Sequence, residues 1–123
     1  MLTTFLILIT LVALQLKHFY IDFVNQNNDE IKHKGIYGNW KGMKHSAKHG
    51  LWTCVLMFAI SSYLDYAFVL GVLDFFLHYH TDWIKSKYGE KNASDKTFWA
   101  HFGLDQLVHQ LTYILIAASL TLL

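Results

Sequence analysis

The stretch that decides the fold is Tyr66–Lys87, YAFVLGVLDFFLHYHTDWIKSK. It begins as an apolar run and then admits Asp74, His78 and Asp82 at intervals of four residues. Residues four apart lie on one face of an α-helix. The stretch therefore predicts an apolar helix carrying one acidic and imidazole stripe. A membrane-spanning helix needs about 20 mostly apolar residues. Tyr66–Leu77 alone is too short and reaches that length only by continuing through its polar end, so the stripe belongs inside the helix.

Three further apolar segments follow the same logic: Met1 to about Phe23, Gly50–Tyr63 extended back to about Met43, and Leu104–Leu123. The expected helices cover about 1–24, 43–63, 66–87 and 96–122. Ser61–Tyr66 is the expected break between the second and third. Asn25–Lys44 and Tyr88–Lys96 are polar connections. Gly89 is placed as a helix stop, and Ser94 or Asp95 as the next N-cap. Asn92-Ala93-Ser94 matches a glycosylation acceptor but reads better as part of that cap. The first segment has no basic start and no Ala-x-Ala cleavage pattern, so it is taken as a retained transmembrane helix rather than a signal peptide. The expected architecture is all-α: a four-helix integral membrane bundle in a single domain over residues 1–123.

Composition agrees with that reading. Of 123 residues, 54 % are hydrophobic and only 15 % charged, against about 25 % charged in ordinary soluble domains. The net charge of +1 argues against a nucleic-acid partner. One cysteine, Cys54, excludes a disulfide framework and a cysteine-rich metal site, and is read as a small buried hydrophobe. All ten basic residues are Lys. Lys17, Lys32, Lys34, Lys41, Lys44 and Lys48 are assigned to the first polar connection, and Lys85, Lys87, Lys91 and Lys96 to the second. With four spans these connections share one side, which the positive-inside rule makes cytoplasmic. Both termini then fall on the non-cytoplasmic side of the inner membrane. Trp40, Trp83 and Trp99 would lie at the cytoplasmic headgroup level.

The eight His are harder to explain. His18 and Asp22, His45 and His49, His78 and Asp82, and Asp105 and His109 form i, i+4 pairs, one pair per predicted helix. At about 1.5 Å rise per residue, His18, His49, His78 and His109 lie roughly 18–25 Å from the outer helix ends. They can therefore meet in one layer. Ionisable groups inside a bilayer are costly and face a bundle interior or a cavity, so such a layer must satisfy itself. A divalent metal does so better than a proton-relay network. Imidazoles and carboxylates without thiolate suit one or two Zn, Fe or Mn ions, and helical bundles with di-metal cores use this arrangement. The expected ligands are His18, Asp22, His45, His49, His78, Asp82, Asp105 and His109. Asp74 could ligate, or could orient His78.

The other polar residues receive plainer readings. His33, His80 and His101 are assigned to the interface. Lys48 and Lys85 are expected to snorkel to the headgroups, with anion binding as the alternative for Lys85. Gln26 and Gln106 are expected to pack between helices or to donate to the ligands.

With these motifs in hand, the chain resembles a family of small integral membrane proteins of bacteria and phages known only as a domain of unknown function. The resemblance rests on His-x3-Asp-Phe-x2-Gln at His18, Asp22, Phe23 and Gln26. It continues with His-x3-His at His45 and His49, His-x3-Asp-x2-Lys at His78, Asp82 and Lys85, and Asp-Gln-x2-His at Asp105, Gln106 and His109. It spans nearly the whole chain and implies a polytopic membrane protein; it implies no particular reaction. The pattern is similar in style to membrane-bound metal-dependent hydrolases.

These readings lead to an expected function: a membrane-embedded metal-dependent hydrolase. Asp22 or Asp105 would be the general base. Lys85, or loop lysines such as Lys44, would hold an anionic head of a lipid or other amphipathic substrate at the cytoplasmic leaflet. A di-iron oxidase of lipid chains shares the ligand set. Two other classes stay open: a proton- or metal-conducting protein, and a structural or lysis-related phage membrane protein. A homo-oligomer is compatible with so small a core.

Overall fold

A computed structural model describes residues 1–123 and contains helices only. Helix α1, Leu2–Phe19, runs without interruption into a π-helical segment, Tyr20–Asn25. A short helix α2, Asn28–His33, lies in the first connection. Helices α3, Trp40–Ser61, α4, Leu64–Tyr88, and α5, Lys96–Ala118, follow, and a 3-10 turn, Ser119–Leu122, ends the chain.

Local chemistry sets these boundaries. Asn27 and Glu30 form a reciprocal capping box that starts α2. Asn39 caps α3 by accepting the Lys41 N–H at 2.9 Å, and Asp95 caps α5 by accepting the Thr97 N–H at 2.8 Å. Of the two cap candidates near residue 94, Asp95 is the one used. Ser62, at φ 63°, supplies the left-handed residue that stops α3. The α3–α4 turn thus falls within the expected break, although no glycine marks it.

The closest helix pair is α3–α4. A Cβ on Gly50 would stand 2.6 Å from the Gly71 carbonyl oxygen, and one on Gly71 would stand 2.7 Å from that of Gly50. Only hydrogen fits between these backbones, as in small-residue helix contacts in membranes.

Two interiors are stacked along the helices. One is apolar: Leu14, Met57, Ala67, Leu70, Tyr113, Ile116 and Leu120. The other is polar, and it dominates the count. Fifteen buried residues are polar or charged and ten are hydrophobic. The outside is the reverse. Phe5, Leu8, Val12, Leu51, Val55, Phe68, Val69, Leu111 and Leu115 are all exposed.

By length and apolarity one helix, Leu2–Asn25 with mean hydropathy 1.7, suffices to cross a membrane. The other three long helices fall short because the polar layer is written into them. Lys17 corrects the lysine assignment. It does not lie with the first connection but is buried among α1, α3 and α4, with its Nζ 2.5 Å from Asp74 Oδ2. A residue enclosed in this way carries no information about orientation. Lys34 is also enclosed.

Candidate metal centre

Four long helices each deliver one i, i+4 pair to the polar interior. His18 comes from α1 and Asp22 from the π segment; α3 gives His45 and His49, α4 gives His78 and Asp82, and α5 gives Asp105 and His109. All are buried except Asp22, whose side chain is nonetheless only 8 % exposed. The wide turn Tyr20–Asn25, which ends the first helix, holds Asp22.

The five imidazoles present the same atom to the carboxylates. Asp22 Oδ1 has His45 Nε2 and His49 Nε2 both at 2.9 Å, and His78 Nε2 at 3.6 Å. His18 Nε2 is 3.4 Å from Asp22 Oδ2. Asp82 Oδ2 has His78 Nε2 at 3.3 Å and His45 Nε2 at 3.5 Å, while its Oδ1 has His109 Nε2 at 3.4 Å. Asp105 Oδ1 is also 3.4 Å from His109 Nε2. Donors around one ion with bonds of about 2.0–2.2 Å stand roughly 3.0–3.5 Å apart. The spacing suits that packing.

Donor atoms within 4.8 Å of one another form three overlapping groups: His18, Asp22, His49 and His78; His45, His78 and Asp82; and Asp82, Asp105 and His109. His78 links the first two and Asp82 the last two. Several of these atoms are orphans. His45 Nδ1, His78 Nδ1 and Nε2, Asp105 Oδ1 and His109 Nε2 are buried and make no aligned hydrogen bond. Buried polar groups are normally paired, because leaving one unmade costs about 1–3 kcal/mol. Asp22 has no lysine within ion-pairing distance and faces only imidazoles. A cation among the donors would answer both deficits, and the donor set fits Zn, Fe or Mn.

Neighbouring residues orient the set. His18 Nδ1 bonds Tyr113 Oη at 3.0 Å, and its Nε2 lies 3.0 Å from Gln106 Oε1. Gln106 also donates to Asp105 Oδ2 at 3.1 Å. Lys34 Nζ is 2.6 Å from Asp82 Oδ2. At the edge, outside the helix layer, Lys48 and the Asn27 N–H donate to Glu30. Burial pushes the Glu30 carboxyl up, but those donors hold it below the ordinary glutamate value.

The structure brings together the eight expected ligands and leaves Asp74 apart. Asp74 Oδ2 pairs with Lys17 at 2.5 Å and accepts from Thr53 Oγ1 at 2.5 Å, so it neither joins a donor group nor touches His78. Lys17 also donates to Thr53 Oγ1 at 2.9 Å and to the His49 carbonyl at 3.3 Å. Gln26 donates to the Asp22 backbone carbonyl and not to a ligand atom. Lys48 bonds Glu30 and Asn25, and His80 lies 3.2 Å from Tyr37 Oη. Lys85 approaches Asp105 Oδ2 at 3.7 Å. Sequence reasoning missed Tyr113, Lys34 and Thr53. Tyr113 and Thr53 each follow a ligand histidine by four residues, so the stripe that found the ligands also pointed to them.

A family model described as Protein of unknown function (DUF3307) matches residues 8–123. No curated protein and no solved structure matches the chain.

Proposed function

We propose that this chain, which belongs to the family of unknown function just matched, is a membrane-embedded metal-dependent hydrolase built on a four-helix membrane bundle. Its inverted polarity supports the membrane reading: exposed leucine, valine and phenylalanine surround a buried His, Asp and Lys interior. The observation that carries the metal reading is the convergence of eight donors from four helices, with imidazole and carboxylate atoms left unpartnered in the middle.

A divalent ion held by these eight donors would supply Lewis acidity and an activated water for hydrolysis. The chain's own residues supply the rest. Asp82 and His78 are shared between donor groups and would set the spacing of two ions. Asp105, at the cleft side of the layer, is the candidate general base. Asp22 is enclosed by imidazoles and serves better as a ligand. Tyr113 and Gln106 hold His18 in place. The lysines outside the polar interior support an orientation with the layer in the cytoplasmic half, within reach of a membrane-dissolved substrate. Conduction fits less well, because the apolar cluster around Leu14, Met57 and Ile116 fills the other half of the interior.

Elemental analysis of detergent-purified protein tests the reading. One to two equivalents of Zn, Fe or Mn are expected, lost in His49→Ala and His109→Ala. A folded, metal-free protein overturns it. Proton or metal flux in reconstituted liposomes would instead support conduction.

A further inference from the structure

The C-terminal end of α4 and the N-terminal half of α5 leave a cleft of about 390 Å³ between them. That volume lies in the range of small-molecule sites. Its walls are mainly apolar, with Ile84 from α4 and Leu104 and Val108 from α5. Asp105 also lines it. The same Asp105 belongs to a donor group with Asp82 and His109, so the cleft opens onto the candidate metal layer.

Two groups in the lining can still donate a hydrogen bond to a ligand. Lys85 Nζ forms a loose ion pair with Asp105 Oδ2 at 3.7 Å and lies 5.3 Å from the centre of the Phe102 ring, and its side chain is 35 % exposed. His101 Nδ1 accepts the Glu90 N–H at 2.9 Å. That acceptor role fixes the neutral tautomer with the proton on Nε2, which has no partner. The donors the cleft offers are thus one ammonium and one imidazole N–H, both suited to an acid group, with the Asp105 carboxylate beside Lys85 at the end that meets the donor layer. The rest suits a hydrocarbon chain.

We infer that this cleft is the substrate entrance and takes a single-chain anionic amphiphile from the bilayer. The acid group sits against Lys85 and His101, and the chain lies along Ile84, Leu104 and Val108. The inference rests on the membrane and metal reading above and names its substrate class.

The test uses full-length protein in nanodiscs of zwitterionic lipid. The probes are a fluorescent-chain lysophosphatidic acid, the matching neutral monoacylglycerol and inorganic phosphate. The anionic probe should bind about tenfold tighter than the neutral one. Lys85→Gln should erase that preference, and Leu104→Trp should block both probes while leaving helical content and metal content unchanged. Inorganic phosphate should not compete. Equal binding of both probes, or indifference to both substitutions, overturns the inference. Full competition by phosphate also overturns it, because the site would then read a head group without a chain. Metal measured on the same samples separates the two claims. A metal-free protein that keeps the Lys85-dependent preference refutes the hydrolase reading and supports the cleft. A metal-loaded protein without the preference refutes the cleft alone.

Discussion

Splitting the Lys17–Asp74 pair should cost more than deleting it. The two charged atoms are 2.5 Å apart, on side chains 4 % and 2 % exposed. At an effective dielectric constant near 20 their attraction is roughly 6–7 kcal/mol before desolvation is counted. In Asp74→Leu the ammonium keeps only neutral acceptors, Thr53 Oγ1 at 2.9 Å and the His49 carbonyl at 3.3 Å. Stranding a buried charge in this way costs about 3–5 kcal/mol. Lys17→Met strands the carboxylate instead, with Thr53 as its one remaining donor, and should cost a similar amount. The double variant Lys17→Met/Asp74→Leu removes both charges and leaves apolar side chains in their place. It should lie within about 1 kcal/mol of the parent. The freed Thr53 hydroxyl can turn to the His49 carbonyl, four residues back. The expected coupling is therefore at least about 3 kcal/mol, measured by SDS-induced unfolding followed by circular dichroism for the four proteins of the cycle. Additive losses, with the double variant worse than either single one, would refute the claim that this pair is a self-contained buried ion pair.

Other outcomes follow from the same geometry. Asp82→Asn, which alters the carboxylate shared by two donor groups, should lower metal content more than Asp105→Asn in elemental analysis. Tyr113→Phe removes the hydroxyl on His18 Nδ1 and should weaken metal retention against a chelator about 10- to 100-fold, with helical content unchanged. Gly71→Val would drive a side chain against the Gly50 carbonyl and should destabilise the protein by about 1–3 kcal/mol or more, read by the same SDS titration. Glu30 has a lowered carboxyl pKa in the fold, so its contribution is present above the ordinary value of about 4.3 and is lost as pH falls through the lowered one. Amide exchange in α2 should accordingly be slower in the parent than in Glu30→Gln at pH 7, and the two should converge in acid.

The helices and their ligand stripes were legible because each carries polar residues at four-residue spacing in an otherwise apolar run. The helix expected from about residue 43 begins at Trp40, and the one expected from about residue 66 begins at Leu64; the flanking turns absorb such differences. Other features gave no such signal. The π segment departs from the regular rise on which depth was counted, and no residue in Tyr20–Asn25 announces it. Helix α2 is a single capped turn and a half, below the length at which periodicity speaks. Lys17 was placed by the rule that lysines seek headgroups, yet a carboxylate 57 positions away in sequence overrides that rule. Asp74 shares a stripe with His78, but the residue that meets it comes from another helix. Same-face arguments rank candidates within a helix and cannot decide between partners on different ones.

The glycine contact between Gly50 and Gly71 divides the molecule into parts of unequal rigidity. Helices α3 and α4 form a hairpin locked backbone to backbone, and that hairpin owns His45, His49, His78 and Asp82. The other four donors arrive on α1 with its π segment and on α5, which have no comparable lock. An ion held by this layer, as proposed above, would act as a clasp, fastening two outer helices to the closely packed inner pair. Occupancy and assembly would then be one equilibrium, and loss of that ion would loosen the outer helices before the inner pair.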